Sequence, residues 1–326
     1  MERNGKKNVL ILGGAGFIGS NISRKYVTEG HRVTIIDGLL KFTGGNKNNI
    51  KEILPQVDFI CSKVEKVNNL SKLIGENEII IDCMGWTAHR LGIKNPRYDL
   101  ELNTISHLAV IEAIPDNKNI KVIYLGSRGQ YGNPLKCKEI VEDTSMLPID
   151  IQGVNKLSAE SYYRIFAKIK GINVISLRFS NCFGEGQPRK GEDIGLVGSF
   201  IRDVILGKKI LLYGNNRKRE LIYVGDLVAA VFKLSTREIH GFQAFNLSGQ
   251  LLPIEKLIKA IIKCVDSGSY AIMPLPQEIK NIDNGNIRLN GRKLVKKIGK
   301  IAMTDLNKAL LSTIKYFKEM ANDLEM

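Results

Sequence analysis

The feature that most constrains the fold is a glycine-rich turn between an apolar segment and an amphipathic helix near the amino terminus. Residues 9–12 are all apolar, and the glycines after them are spaced Gly13-x-x-Gly16-x-x-Gly19. Glycines at this spacing permit a tight turn, let the backbone approach a pyrophosphate, and let the helix pack closely on the strand. The amino terminus of the helix then faces the phosphates. The pattern predicts a dinucleotide-binding βα unit.

An acidic residue at the end of the next predicted strand indicates which dinucleotide is bound. Asp37 lies 18 positions after the last glycine of the turn. A carboxylate there can accept hydrogen bonds from the adenosine ribose hydroxyls and would repel a 2′-phosphate. The sequence therefore predicts NAD as the cofactor, with Phe17 and Ile18 as further cofactor contacts. NADP is less favoured, but it stays an alternative because the basic residues Arg32 and Lys41 are near.

The first half of the chain alternates short apolar runs with helical stretches. The runs are rich in valine and isoleucine with little polar alternation, as in strands buried on both faces. Such alternation predicts an α/β fold with a doubly wound parallel sheet. The predicted strands span 8–13, 32–37, 58–61, 78–83, 121–127 and 173–179, and the predicted helices span 17–29, 99–114, 155–170 and, in a lysine-rich tail, 305–324.

Composition and charge exclude several classes of protein. The formal net charge of +15 attracts anionic ligands, but no recognised nucleic-acid motif accompanies it, so no nucleic-acid partner is predicted. No apolar run reaches the roughly 18 residues that span a bilayer, and no apolar segment follows the basic amino terminus, so we expect a cytoplasmic protein without a membrane partner. The five cysteines and four histidines are scattered, which predicts no metal site.

Several ordered motifs match one known family. These are residues 13–20 (GGAGFIGS), Asn103, Ser127 with Tyr131 and Gly132, Lys156 with Ala159 and Glu160, Leu177-Arg178-x-x-Asn181-x-x-Gly184, residues 219–226 and residues 245–247. With these motifs the chain resembles the NAD-dependent epimerase/dehydratase family, the extended short-chain dehydrogenases that act on nucleotide sugars. The resemblance covers nearly the whole length.

The resemblance implies a Rossmann domain and a smaller carboxy-terminal lobe that clamps a nucleotide diphosphate sugar. It assigns residues 1–179 to the NAD-binding domain, with 210–235 returning to it, and residues 180–326 to the substrate lobe. It also implies a homodimer formed through the predicted helices 99–114 and 155–170.

The same resemblance implies roles for individual residues. Lys156 fixes the nicotinamide ribose and Ser127 binds the reacting hydroxyl. Asn181 and Arg219 bind the substrate, which agrees with the chemistry of an amide and of a planar guanidinium fork for phosphate.

The tyrosine that this family places four residues before the lysine is replaced by Gln152. The register is secure because Ser127 lies 25 residues upstream, the spacing expected in the family. A glutamine amide cannot act as an acid or base near neutral pH. Three hypotheses remain. In the first, His89, which follows the fourth predicted strand, takes the proton, and Gln152 has an orienting role and does not ionise. In the second, substrate or water relays the proton through Ser127 and the ribose hydroxyls held by Lys156. In the third, the site binds its ligands without turnover.

The residues after Ser127 favour some reactions of this family over others. Family dehydratases carry an Asp-Glu pair there, whereas this chain has Arg128-Gly129. Dehydration and decarboxylation are therefore disfavoured, and Arg128 is a candidate contact for an anionic group of the substrate. The sequence favours an NAD-dependent nucleotide-sugar epimerase that works through a transient keto-sugar. The alternatives are a non-catalytic or weakly active binding protein, or a reductase or dehydratase of the same family.

Overall fold

The protein is described from a computed structural model. The structure describes residues 5–319 except 117–118, 135–138, 190, 192–193, 282 and 284. Cys137 and the last part of the predicted helical tail, from residue 320 onward, lie outside these residues.

Fourteen strands and twelve α-helices make up the described part of the chain. The strands are β1 (Asn8–Leu12), β2 (Arg32–Asp37), β3 (Val57–Cys61), β4 (Ile79–Asp82), β5 (Lys121–Leu125), β6 (Glu139–Ile140), β7 (Asn173–Phe179), β8 (Asn181–Phe183), β9 (Ile210–Tyr213), β10 (Lys218–Tyr223), β11 (Phe242–Leu247), β12 (Gln250–Pro253), β13 (Tyr270–Met273) and β14 (Arg288–Leu289). The helices are α1 (Phe17–Thr28), α2 (Leu70–Gly75), α3 (His89–Lys94), α4 (Pro96–Leu100), α5 (Ser106–Ala113), α6 (Ile151–Ile169), α7 (Gly195–Ile205), α8 (Val224–Ser235), α9 (Ile254–Val265), α10 (Gln277–Asn281), α11 (Arg292–Ile298) and α12 (Leu306–Glu319).

Seven of these strands form one parallel sheet with the order β11-β7-β5-β4-β1-β2-β3. Its central strands are buried on both faces, which explains their continuous valine and isoleucine runs. The predicted doubly wound α/β fold is confirmed. The strand order reverses between β1 and β4, and in such sheets a crevice for ligands opens at the carboxyl ends of the strands on either side of the reversal.

Helices cover both faces of the sheet. One core contains apolar side chains of α1, α8 and α11 packed on the sheet, for example Ile22, Leu227 and Leu294. The opposite core contains side chains of α2, α5 and α6, among them Ile74 and Val110. Within the described residues, no helix is both long enough and apolar enough to cross a membrane.

A separate core forms the smaller carboxy-terminal lobe. Helices α7, α9 and α12 pack there through Phe200, Ile258 and Phe317 against strands of a three-stranded sheet with the order β12-β10-β8. β9 pairs with β13 in this region and not with the large sheet. The chain returns to the large sheet through α8, which contacts α1, and through β11, which pairs with β7. Strands β9 and β10 therefore stay in the lobe although the sequence placed 210–235 in the first domain, and β11 joins the large sheet although the sequence placed it in the lobe. The boundary at residue 179 itself stays a prediction.

Two predicted helices differ from the observed ones in ways that concern the site. The second predicted helix, 99–114, is a run of α4, a π-helical turn at Glu101–Ile105, and α5. The third begins at Ile151 and not at Asn155, because the Asp150 side chain accepts a hydrogen bond from the Gly153 amide and caps it. This earlier start places Gln152 in the first turn of α6.

Candidate active site

The glycine turn lies at the carboxyl end of β1 and leaves no room for side chains. Gly13 has a φ of +70°, a conformation that favours glycine, and its amide donates to the Ile36 carbonyl at 2.8 Å. A Cβ atom on Gly19 would lie 2.1 Å from the Gly13 carbonyl oxygen, so α1 packs on the turn only with glycine there. Gly16, Phe17 and the other turn residues line a groove along the ends of β1, β2 and β4.

Asp37 ends β2 inside this groove. Its Oδ2 accepts a hydrogen bond from the Ala15 amide at 3.0 Å, and its Oδ1 accepts one from the Leu39 amide at 2.9 Å. Burial raises the pKa of Asp37, and the backbone hydrogen bonds from Leu39, Ala15 and Gly16 oppose this rise. The carboxylate therefore fixes the glycine turn, and it retains a lone pair for a hydroxyl in the groove.

Lys156 lies on α6 with its ammonium group held at the end of β4. Its Nζ donates to the Met84 carbonyl at 2.8 Å and to the Leu125 carbonyl at 3.3 Å. Burial lowers the pKa of Lys156 to about 8, although Asp82, Cys83 and Asp99 favour the charged form. The ammonium group is thus fixed in position, and it loses its proton at moderately alkaline pH.

The segment after β4 is shaped around this lysine. Gly85 has a φ of +155°, and a Cβ there would lie 2.9 Å from Lys156 Nζ and 3.0 Å from Asn103 Oδ1. The Asn103 amide pairs with the backbone of buried Trp86, accepting from its N–H and donating to its carbonyl, each at 2.9 Å. The glycine at position 85 therefore leaves space for the lysine head group.

Ser127 follows β5 and begins a short 3₁₀ turn, Arg128–Tyr131. Its Oγ accepts from the Gly129 amide at 3.0 Å, and its own amide donates to Gln130 Oε1 at 2.7 Å. These reciprocal bonds form a capping box, which fixes the serine at the end of the strand. As a hydroxyl, Ser127 Oγ can still donate its proton to a ligand.

Gln152, at the position where the family resemblance predicts a tyrosine, is 4% exposed. Its Nε2 donates to the Trp86 carbonyl at 3.2 Å, so the amide links α6 to the segment after β4. Two tyrosines near the site have hydroxyl groups that point elsewhere. The Tyr163 hydroxyl donates to buried Asp82, and the Tyr131 hydroxyl donates to Asn246.

His89 begins α3 and is paired with a carboxylate. Its Nδ1 lies 2.9 Å from Asp150 Oδ2, and the His89 side chain is 43% exposed whereas that of Asp150 is buried. Burial would raise the pKa of Asp150, but the hydrogen bond and charge of His89 and the Gly153 amide outweigh it, so this pKa lies below its usual value. A carboxylate at Nδ1 orients the imidazole ring and stabilises its protonated form.

Arginine side chains of the carboxy-terminal lobe line a second cavity next to the groove. Asp283 accepts from Arg217 Nη2 at 2.8 Å and from Arg219 Nη2 at 2.7 Å, so one carboxylate pairs with both guanidinium groups. Asn181 on β8 and Arg128 line the same cavity as Arg217 and Arg219.

The predicted site residues come together in two adjoining cavities. The groove contains Gly13, Gly16, Gly19 and Asp37, and a second cavity of about 490 Å³ contains His89, Ser127, Arg128, Gln152, Lys156, Asn181 and Arg219; Phe17 and Ile18 line both. Sequence reasoning missed Asp150, Gly85, Arg217 and Asp283. Of these, only Asp150 had a local signal, as an Asp three residues before a helical glycine. The others act through contacts between distant segments.

Comparison with known proteins gives consistent matches. A family model described as the NAD dependent epimerase/dehydratase family matches residues 9–248. A putative UDP-glucose 4-epimerase of Methanocaldococcus jannaschii is 31% identical over 230 residues, which is 68% of this chain and 71% of that protein.

Two solved structures have the same architecture. The UDP-N-acetylglucosamine 4-epimerase of Methanobrevibacter ruminantium M1, in complex with UDP-N-acetylmuramic acid, has a TM-score of 0.86 at 24% identity, over 96% of this chain and 99% of that one. The UDP-glucuronic acid 4-epimerase of Bacillus cereus, in complex with UDP-glucuronic acid and NAD, has a TM-score of 0.84 at 19% identity with the same coverage. At these identities the likeness establishes the fold.

Proposed function

The chain belongs to the NAD-dependent epimerase/dehydratase family, and we propose that it is an NAD-dependent nucleotide-sugar epimerase acting through a transient keto-sugar. The observation that carries the proposal is the His89–Asp150 pair in the same cavity as Ser127 and Lys156. We further propose that it acts in the cytoplasm in polysaccharide biosynthesis, which rests on the family alone.

The groove fits NAD. The glycine turn offers backbone that a Cβ would obstruct at Gly19, and Asp37 offers a carboxylate for ribose hydroxyls. Because that carboxylate would repel a 2′-phosphate, we propose NAD and not NADP. NAD, when bound, would accept a hydride from a sugar ring carbon and return it to the opposite face.

The protein's own residues supply the proton transfers. In this proposal Ser127 holds the reacting hydroxyl, and His89 Nε2 removes its proton as the carbon loses hydride, which leaves a ketone. Asp150 stabilises the resulting imidazolium. After the ketone presents its other face, hydride returns to carbon and His89 gives the proton back to oxygen, so the product differs from the substrate only in configuration.

Gln152 has an orienting role in this mechanism. Its amide donates to the Trp86 carbonyl and holds the segment that leads to His89 against α6. A relay through water, Ser127 and the ribose hydroxyls near Lys156 is the alternative proton route, and it predicts that His89 is dispensable.

A second candidate function is a binding protein without turnover. Gln152 favours it, because the buried amide replaces the group that ionises in the family. Such a protein would hold NAD and a nucleotide sugar and leave the configuration of the sugar unchanged.

We also propose a homodimer through the exposed face of α6. Ile165 and Ile169 are 51% and 67% exposed, and Tyr162 lies on the same face. Exposed apolar side chains along one helix are typical of protein interfaces. The double variant I165E/I169E should sediment as a monomer, whereas K315E on α12 should leave the mass unchanged; a monomeric wild type would contradict the proposal.

Mass spectrometry of small molecules released on denaturation tests the cofactor assignment. Bound NAD, with or without a nucleotide sugar, supports the proposal and names the substrate class. Bound NADP would indicate a reductase with exchangeable cofactor. A protein that carries neither dinucleotide and binds neither when they are added would overturn the enzymatic proposal.

A further inference from the structure

Arg128 is a buried cation without a hydrogen-bond partner for one of its nitrogens. The residue is 6% exposed, and its Nη1 is fully buried with no acceptor in reach among the described residues. Burial and, to a smaller extent, the charge of Arg219 lower the pKa of Arg128 to about 10. An uncompensated buried charge is costly in free energy, so this position favours an anionic partner.

The carboxylates near Arg128 are engaged with other donors. Asp283 pairs with Arg217 and Arg219, and Asp150 accepts from His89 and from the Gly153 amide.

The third nearby carboxylate, Glu220, is engaged in the same way. It accepts from the Ser248 hydroxyl and from the amides of Gly249 and Leu289. Each of these three carboxylates favours the charged form of Arg128 from a distance, but none forms an ion pair with it. The protein therefore leaves the Nη1 group of this guanidinium for a ligand.

The place of Arg128 indicates which part of the ligand it meets. It directly follows Ser127 and lines the cavity together with Gln152 and Lys156, the end at which the proposed reaction occurs. Arg217 and Arg219 lie at the substrate-lobe side and are held by Asp283. A guanidinium fork matches a carboxylate in bidentate geometry.

We propose that Arg128 binds a carboxylate on the sugar, so that the substrate is a nucleotide-linked sugar acid. This inference rests on the proposed function and adds the substrate class to it. The other negative charge on such a substrate is its diphosphate. If Arg128 bound the diphosphate, it would contribute equally to the binding of every nucleotide sugar.

UDP-glucuronic acid and UDP-glucose form a matched pair of probes, because they differ only in a carboxylate against a hydroxymethyl group at C6. Calorimetry with NAD-loaded wild type should show the acid binding roughly 10- to 100-fold more tightly, as expected for hydrogen bonds to a charged group. R128Q should abolish the preference for the acid, and R128K should retain part of it. R219Q, the matched control, should weaken both ligands by a similar factor.

The outcomes separate the inference from the function on which it rests. Equal wild-type affinities, or no binding of either sugar by a protein that binds NAD, would overturn the inference. R128Q weakening both ligands equally would also overturn it and would assign Arg128 to the diphosphate. Failure to bind NAD as well as both sugars would instead overturn the proposed function. NAD affinity and the thermal unfolding midpoint of R128K and R128Q show that each variant is folded.

Discussion

His89 Nδ1 lies 2.9 Å from Asp150 Oδ2, and the same carboxylate caps the helix that carries Gln152 and Lys156. One side chain therefore ties a histidine from the segment after β4 to the start of α6. The arrangement places an imidazole in the cavity that Gln152 and Lys156 also line.

If His89 is the proton carrier, H89N should lower turnover by roughly 10²- to 10⁴-fold, as for loss of a general acid–base group. NAD affinity should stay within about twofold, because His89 lies in the second cavity and not in the groove. Steady-state kinetics and calorimetry with NAD measure the two quantities. Full activity of H89N would favour the relay through Ser127 and water.

The two roles of Asp150 can be separated with a pair of substitutions. In D150N an amide oxygen can still accept from the Gly153 amide, so stability should change little while turnover falls, since the imidazolium loses its counter-charge. In D150A the cap is lost as well, which should lower the free energy of unfolding by about 1 kcal/mol. Urea unfolding and kcat measured on both variants test this; equal kcat for D150N and wild type would remove Asp150 from the proton transfer.

Restoring a phenol at position 152 should bypass the histidine. In an H89N background, Q152Y should recover at least about tenfold in turnover, because a tyrosine four residues before Lys156 lies on the same face of α6. Q152F in the same background controls for the added ring, since it lacks the hydroxyl. Equal rates for the two double variants would indicate that the site lacks more than a proton carrier.

The charge of Asp37 should determine the choice of cofactor. Wild type should prefer NAD to NADP, and D37N should reduce the ratio of the two affinities by at least about tenfold, because it removes a negative charge near the 2′-position. Asparagine keeps an acceptor for one of the amides that Asp37 holds, Ala15 or Leu39. A wild type that binds both dinucleotides equally would contradict the assignment.

Lys156 should make stability depend on alkaline pH. Its pKa is lowered from 10.5 to about 8 in the folded protein, so between these values the unfolded chain binds more protons. The free energy of unfolding should therefore rise with pH in this window relative to K156M, by at most about 1.4 kcal/mol per pH unit. Lys121, whose pKa is also lowered to about 8, is present in both proteins and cancels. Parallel pH profiles from urea unfolding would contradict the lowered pKa.

Local sequence signals predicted the architecture because they reflect local physics. The glycine turn needs backbone geometry that other residues cannot adopt, and fully buried parallel strands need continuous apolar runs. That Gln152 stands where the family resemblance expects a tyrosine stays a prediction, which rests on the spacing from Ser127 to Lys156. β11 was assigned to the lobe because its sequence, FQAFNL, does not show that it pairs with β7.

Contacts between distant segments could not be predicted from the sequence. The Asp150 carboxylate reaches a histidine 61 residues away, and Asp283 pairs with two arginines 64 and 66 residues upstream. The unpartnered nitrogen of Arg128 is likewise a property of packing, since it depends on where Asp283, Asp150 and Glu220 direct their oxygens. Charge counts predicted an affinity for anions and did not indicate which arginine remains available.

The fate of deuterium at the inverted carbon distinguishes an epimerase that works through a keto-sugar from a binding protein. Nucleotide sugars deuterated at a single ring carbon, UDP-glucose and UDP-glucuronic acid first, would be incubated with the NAD-loaded protein and followed by NMR. We expect an epimer that retains the deuterium, because the hydride leaves and returns to the same carbon without exchange with water. Recovery of every sugar with its configuration unchanged, from a protein that binds NAD and the sugar, would contradict it and identify a binding protein.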